Sequence, residues 1–228
     1  MNDLFQNFLT ILSGLSLSLS LTVVSAIFGV ILAIILTMLL SYFDRGLIRL
    51  SINSYLIFFT GTPLLVQLFL IYFGPGQFPL IQESFLWVIL KEKWFCAALA
   101  LILNSAAYTT QLFYGAMKAV PREQYEACQV LGMSRFETIK LIIPLALRRS
   151  LPSYSNELVL IFKSTSLVFA IALMDVMGHA RYFSGQTYDS LTYYCLAGII
   201  YLVINAIMIF ALRYLERIAM RFEVDYLN

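Results

Sequence analysis

Charge is scarce in this sequence, so the charged residues set inside its apolar runs carry much of the chemical information. The run Leu151 to Met177 holds Glu157, Lys163 and Asp175 among Asn156, Ser164, Thr165 and Ser166. A charge at mid-bilayer costs a few kcal/mol, so each such residue needs a partner, water or a task. Glu157 and Lys163 stand six positions apart, about 9 Å of helical rise, which is not the spacing of a simple i to i+4 pair. Two readings stay open. One is a structural network against a neighbouring helix or subunit. The other is a water-filled path in which Glu157 and Asp175 offer carboxylates to a cationic solute. A third polar feature, Thr60-Gly61-Thr62-Pro63, interrupts another apolar run. Pro63 removes a backbone donor and Gly61 loosens the turn before it, so the spacing predicts a kink or break whose freed carbonyl must find a partner.

Between apolar runs lies Glu126-Ala127-Cys128, then Gly132, then Ile142-Ile143-Pro144 and Ala146-Leu147-Arg148-Arg149. Gln124 to Met133 and Arg135 to Ile143 each read as a short helix, with Gly132 as the permissive turn between them and Pro144 ending the second. Such a helix-turn-helix offers a knob that a soluble partner could grip. An amphipathic loop lying on the lipid surface is the plainer reading.

The elements that must position these residues are membrane spans. With 61% hydrophobic and 12% charged residues over 228 positions, the chain departs far from a water-soluble domain. Five runs are long enough to cross about 30 Å of hydrocarbon: Leu12 to Tyr42, Leu47 to Phe73, Phe95 to Met117, Leu151 to Met177 and Leu191 to Leu212. The expected fold is an all-α integral membrane protein of five transmembrane helices, forming one domain over 1–228. Leu80 to Leu90 is too short to span and is expected at the interface, with Trp87 and Trp94 at headgroup depth. Asn2 to Thr10 reads as a short interfacial helix, with Leu4, Phe5, Phe8 and Leu9 on one face. The hydroxyl residues of the first span, Ser13 to Ser25, suit helix packing in lipid.

Basic residues set the orientation. Arg45 and Arg49, then Lys118, Arg122, Arg135, Lys140, Arg148 and Arg149, then Arg213, Arg217 and Arg221 place eleven on one side. Lys91, Lys93 and Arg181 place three on the other. The positive-inside rule predicts an outer N-terminus, a cytoplasmic C-terminus and a cytoplasmic Glu126 to Pro144 loop. No basic region or small-residue cleavage site flanks the first run, so span one is expected to stay as an anchor.

Several chemistries fail. Lys163-Ser164-Thr165 ends like a P-loop, but no Gly-x-x-x-x-Gly precedes it. His179 is the only histidine, so no multi-histidine metal site assembles. No GxSxG or HExxH occurs. Cys96, Cys128 and Cys195 are scattered and imply no disulfide framework. A net charge of +2 with no basic tract gives no footing for nucleic acid.

Taken in order, the polar blocks resemble those of the permease subunits of ATP-binding-cassette (ABC) importers, in the polar-amino-acid branch. Gly61-Thr62-Pro63-Leu64-Leu65-Val66-Gln67, Asn104-Ser105-Ala106-Ala107-Tyr108, Glu126 to Pro144, and Asn156-Glu157 with Lys163-Ser164-Thr165-Ser166-Leu167 match its signatures. The likeness runs from Thr60 to about Asp175. More narrowly, Tyr108 to Gly115, Tyr154 to Glu157 and Leu173 to Gly178 resemble the arginine permeases of that branch. The resemblance implies a type I importer permease fold of the bacterial inner membrane. In it Glu126, Ala127, Gly132 and Pro144 belong to the EAA loop, the segment that docks on an ATPase dimer. Thr62 and Pro63 would form a mobile element beside a path shared with Glu157, Lys163 and Asp175.

It also implies a second permease chain, a periplasmic binding protein delivering L-arginine, no cofactor on this chain, and ATP and Mg held by the partner ATPase. Histidine, lysine or glutamine are the alternative solutes, and a membrane scaffold or sensor is the competing class. Cys128 departs from the second Ala of the EAA pattern, Ile143 from the usual Leu, and the Gly132 to Pro144 interval is one residue shorter. A rotated second coupling helix is the expected consequence. Gln111 and Tyr114 stand where many relatives carry an acid and an Arg, so no charged role is expected there.

Overall fold

The computed structural model describes residues 2–43 and 45–224, and every described segment of regular structure is helical. The helices are α1 (Asn2–Ser13), α2 (Leu15–Tyr42), α3 (Leu47–Gly61), α4 (Leu64–Phe73), α5 (Pro79–Gln82), α6 (Trp87–Leu90), α7 (Lys93–Lys118), α8 (Arg122–Val130), α9 (Arg135–Ser164), α10 (Val176–Thr187) and α11 (Ser190–Val224). Short 3-10 segments cover Pro75–Gln77 and Thr165–Ile171. The C-terminal residues 225–228, to which the charge pattern assigns a cytoplasmic place, lie outside the described residues.

Three helical stretches are long and apolar enough to cross a membrane: Leu4–Tyr42, Lys93–Lys118 and Ser190–Ala219. The count becomes five only if two bent pairs are each taken as one span. The first pair, α3 with α4, turns through 109° at Thr62 and Pro63, so the kink or break expected within Leu47 to Phe73 is a full break between two helices. The second joins α9 to α10 with a 46° bend. Ala172 there takes a left-handed φ of 56°, and Asp175 caps the new helix.

The centre is α2 against α7. Ser18, Thr22, Ser25, Gly29, Ala33 and Thr37 recur every three or four residues and are all buried on one face of α2. Across from them α7 buries Ala97, Ala98, Ala100, Ser105, Ala106 and Thr109. Lipid gives apolar helices little reason to associate, so small side chains that let backbones approach supply dispersion contact instead. The hydroxyls of the first span divide accordingly. Ser18, Thr22 and Ser25 are buried in the packed face, where Thr22 donates to Ser18 O at 2.7 Å, while the exposed Ser13, Ser16 and Ser20 donate to carbonyls of their own turn.

α1 is not a helix lying alone on the lipid. It runs on into α2, Ile11 is fully buried with Val176 and Ala197, and the Asn7 amide donates to the Tyr193 hydroxyl at 2.8 Å. At the joint, a Cβ on Gly14 would stand 2.5 Å from the carbonyl carbon of Asp175, so only glycine lets the chain pass there. The Leu80 to Leu90 stretch forms the two short helices α5 and α6, and Trp94 Nε1 donates to Ser20 Oγ at 3.3 Å.

Pro144 does not end a helix. α9 passes through Pro144 and Pro152 and continues to Ser164, carrying the second limb of the loop into the fourth span without interruption. Pro144 lies on the exposed side, where the carbonyl it deprives of a partner can turn outward, while Ile142, Ile143 and Ala146 pack inward with Met117 and Val120. Good packing on one face outweighs the lost bond on the other.

Candidate functional site

The turn between α8 and α9 is built from local rules. Leu131 follows the last helical residue, Gly132 takes φ +72°, its N–H donates to Gln129 O at 2.9 Å, and the Met133 N–H donates to Cys128 O at 3.0 Å. That is the Schellman closure of a helix, with glycine at the left-handed position. α9 then opens with a capping box. Ser134 Oγ accepts from the Glu137 N–H, and Glu137 Oε2 accepts from the Ser134 N–H at 2.7 Å. Hydrogen bonds from the Ser134 hydroxyl and then its N–H hold the Glu137 carboxyl below the usual range. Their contribution is present above the ordinary carboxylate pKa and is lost as pH falls through the lowered one. Tyr125 donates to Met117 O at 2.8 Å and ties α8 to the end of α7; burial pushes its hydroxyl pKa up.

What this corner presents outward is apolar. Val130 is 88% exposed and Leu131 77%, with Phe136 and Leu141 also bare. Glu126 and Ala127 face out on α8, and Glu126 pairs with Arg122 at 2.9 Å in an exposed i,i+4 bridge. Cys128, by contrast, is buried and roots the knob. The first helix, Arg122–Val130, begins and ends earlier than the expected Gln124 to Met133, while the second starts at Arg135 as expected but runs on to Ser164 instead of ending at Ile143.

The second constellation is a cavity of about 280 Å³ where the break between α3 and α4 meets α7 and α9. Thr62, Pro63 and Glu157 all line it, joined by Asn104, Ser105, Tyr108 and Ser164 and walled by Leu64, Leu101, Leu160, Ile161 and Leu167. Lys163 is exposed and does not reach this space, and Asp175 lies elsewhere. Asp175 is fully buried at the start of α10, where Oδ1 accepts from the Gly178 N–H at 2.8 Å and Oδ2 from the Tyr201 hydroxyl at 2.9 Å. Its place is that of a helix cap with a tyrosine partner.

A clamp missed by sequence reasoning holds the break open. Gln67 is only 1% exposed, and its Nε2 reaches Phe59 O at 2.9 Å, Thr62 O at 3.0 Å and Thr62 Oγ1 at 2.9 Å. Asn104 Nδ2 donates to Phe59 O and to Gln67 Oε1, both at 3.0 Å, and the Tyr108 hydroxyl donates to Thr60 O at 3.2 Å. The carbonyls that a proline break strands in an apolar medium are thus answered by side chains from α4 and α7. Gln67 in an apolar run four residues after Pro63 was the available signal. With its amide hydrogens committed, Asn104 has only its oxygen left to offer as a member of this lining. Carboxylate, amide oxygen and hydroxyls in an apolar cleft suit a cationic or hydrogen-bonding solute and provide no nucleophile paired with a base.

Residues 26–220 match the family model described as the inner membrane component of binding-protein-dependent transport systems. The chain is 54% identical over 221 residues to the arginine ABC transporter permease protein ArtM of Haemophilus influenzae, covering 96% of this chain and 97% of that protein. Identity to the octopine transport system permease protein OccM of Rhizobium radiobacter is 40%, over 90% of this chain and 84% of that one. Among solved structures, a crystal structure of an amino acid ABC transporter with histidines aligns with a TM-score of 0.79 at 29% identity, covering 91% of this chain and 93% of the other. The MetNI methionine ABC transporter, in an inward-facing conformation, shares the fold with a TM-score of 0.76 at 17% identity over 93% and 97% of the two chains. The protein therefore has the type I ABC-importer permease fold and belongs to the family of inner membrane components of binding-protein-dependent transport systems.

Proposed function

We propose that this chain is the permease subunit of an ATP-driven importer of L-arginine. It pairs with a second permease chain, takes solute from a periplasmic binding protein, and lines half of the path. The observation that carries the reading is the link between its two sites. Phe136 and Leu141 of the bare apolar corner and Glu157 of the cavity sit on the same helix, α9. A partner that grips the knob can therefore act on the cavity. The arginine assignment is supported by the near full-length likeness to an arginine permease and by the acceptor-rich cavity, since a guanidinium stays charged and favours carboxylates.

In this reading α8 and the start of α9 dock on a cytoplasmic ATPase dimer, which alone binds ATP and Mg. The permease forms no covalent bond and takes no cofactor. It works by offering the solute two packings of different stability, one open inward and one outward, between which the ATPase shifts the balance. The bias of eleven basic residues against three supports an N-terminus in the periplasm and a knob in the cytoplasm.

The test is uptake of radiolabelled arginine into vesicles carrying this chain with its co-purified ATPase and binding protein. Uptake that requires ATP, and that unlabelled arginine suppresses more strongly than histidine, lysine or glutamine, is the expected result. ATP-dependent uptake of one of the others in preference would move the substrate. No transport by an assembled complex would turn the reading to a scaffold.

A further inference from the structure

The bent pair of α9 and α10 has the parts of a hinge. α9 runs into the 3-10 segment Thr165–Ile171, the chain turns at Ala172, and α10 leaves with the pair bent by 46°. Ala172 takes φ 56° and ψ 41°, a left-handed conformation that disfavours any residue with a Cβ and persists where neighbours impose it. The turns before it are of the weaker 3-10 kind, and the Leu173 N–H reaches Val168 O at 3.4 Å. Hinges are a few positions of this sort at the ends of elements.

The angle has room to narrow. A cavity of about 590 Å³ lies within it, walled by Phe169, Ala170 and Ala172 on one limb and by Arg181, Tyr182 and Gln186 on the other. The Arg181 guanidinium reaches from wall to wall, 5.2 Å from the centre of the Phe169 ring.

One side chain holds both limbs. Tyr201 approaches from α11, packs its ring on Phe162 of α9 with centroids 5.4 Å apart, and donates its hydroxyl to Asp175 Oδ2 at the start of α10 at 2.9 Å. Phe162 and Asp175 stand on opposite sides of Ala172 and are both fully buried. Capping α10 needs only one acceptor, and Oδ1 supplies it to the Gly178 N–H. The second oxygen is thus free to tie the limb to Tyr201. Farther along, Val176 and Ala180 pack with Ile11, Tyr193 and Ala197, so the limb carries α1 and the first turns of α11 with it.

We propose that Ala172 is a hinge for the α10 limb and that Tyr201 is its latch, holding the observed angle through Phe162 and Asp175 against a second, narrower one. The proposal rests on the importer reading only for what drives the change, an ATPase at the far end of α9. A hydrogen bond of ordinary worth biases a two-state balance about fivefold. That sets the resting angle, yet ATP binding overcomes it and transport persists.

The experiment is pulsed electron resonance between spin labels at Ser153 on α9 and Gln186 on α10, both exposed. The chain carries no native cysteines and is assembled with its co-purified ATPase in lipid nanodiscs. Expected is one distance at rest and a second, shorter one with ATP and vanadate. In Tyr201→Phe, which keeps the ring, the shorter distance should already appear without nucleotide, its share raised about fivefold. Asp175→Asn, whose amide can donate to the same hydroxyl, should match the unaltered chain. Ile142→Ala removes buried contact elsewhere on α9 and should leave the distances alone. An unchanged distance in Tyr201→Phe, or the same redistribution in Ile142→Ala, would overturn the latch, and no second distance with ATP and vanadate would overturn the hinge. A limb that moves as expected in a complex that carries no arginine would uphold the hinge and sink the importer reading alone.

Discussion

Glu157 and Asp175 illustrate how two carboxylates in one apolar run divide their work once each is given neighbours. Glu157 faces the cavity at the helix break, and no protein group in the described hydrogen-bond network accounts for its carboxylate. Asp175 is enclosed and satisfied by Gly178 and Tyr201. Glu157→Gln, nearly isosteric, is expected to weaken arginine uptake by roughly tenfold to a hundredfold through the loss of a charged hydrogen bond of about 1.5–3 kcal/mol. Thermal stability should hardly change. Asp175→Ala should do the reverse. It removes a cap worth about 1 kcal/mol and strands the Tyr201 hydroxyl, so the melting temperature of the purified chain should fall, while Asp175→Asn, which keeps an acceptor, falls less. Equal loss of uptake at unchanged stability in both Asp175 variants would return that residue to the solute path. Gly132→Val makes a third case. A β-branched residue forced to φ +72° costs about 1–3 kcal/mol, so ATPase co-purification should drop while the chain still inserts.

At the scale of elements, the break between α3 and α4 is stabilised from outside. Gln67→Leu removes a donor from Phe59 O and Thr62 O; Phe59 O keeps Asn104, so Thr62 O is the acceptor left unmatched, at a cost of about 1–3 kcal/mol. A double-mutant cycle with Asn104→Leu should show strong coupling, because the two amides share Phe59 O and bond each other. Additive losses would mean that the clamp is not a unit. The break itself was legible, since Pro63 and Gly61 announce it within four residues, and so was the Gly132 turn. The clamp was not, because Gln67 and Asn104 lie 37 positions apart and only the fold brings them together. Pro144 misled for a related reason. A local rule says that proline stops a helix, and only the packing of Ile142, Ile143 and Ala146 tells that this one continues.

For the whole molecule, composition and charge gave the membrane class and an orientation, while the angles of the bent pairs depend on tertiary contacts that no single run encodes. Orientation is open to a direct check. In a chain lacking its three native cysteines, a cysteine at Tyr188, 93% exposed between α10 and α11, should react with an impermeant maleimide from the periplasm. A cysteine at Val130, in chain expressed without its ATPase, should react only after permeabilisation. Reaction of both from the same side would refute the arrangement.

The continuity of α9 has a mechanical consequence. Its 30 residues make a rod of about 45 Å, packed at intervals from Thr138 to Phe162 with Ala146 and Ser150 buried near its middle. Taking Ala146 as the fulcrum, Arg135 at the knob and Glu157 at the cavity stand eleven residues to either side, arms of about 16 Å each. A lever with equal arms neither amplifies nor attenuates. A tilt of about 10° would move both ends by about 3 Å in opposite senses, so the stroke delivered at the docking corner arrives undiminished at the mouth of the cavity, by about the width of one water molecule.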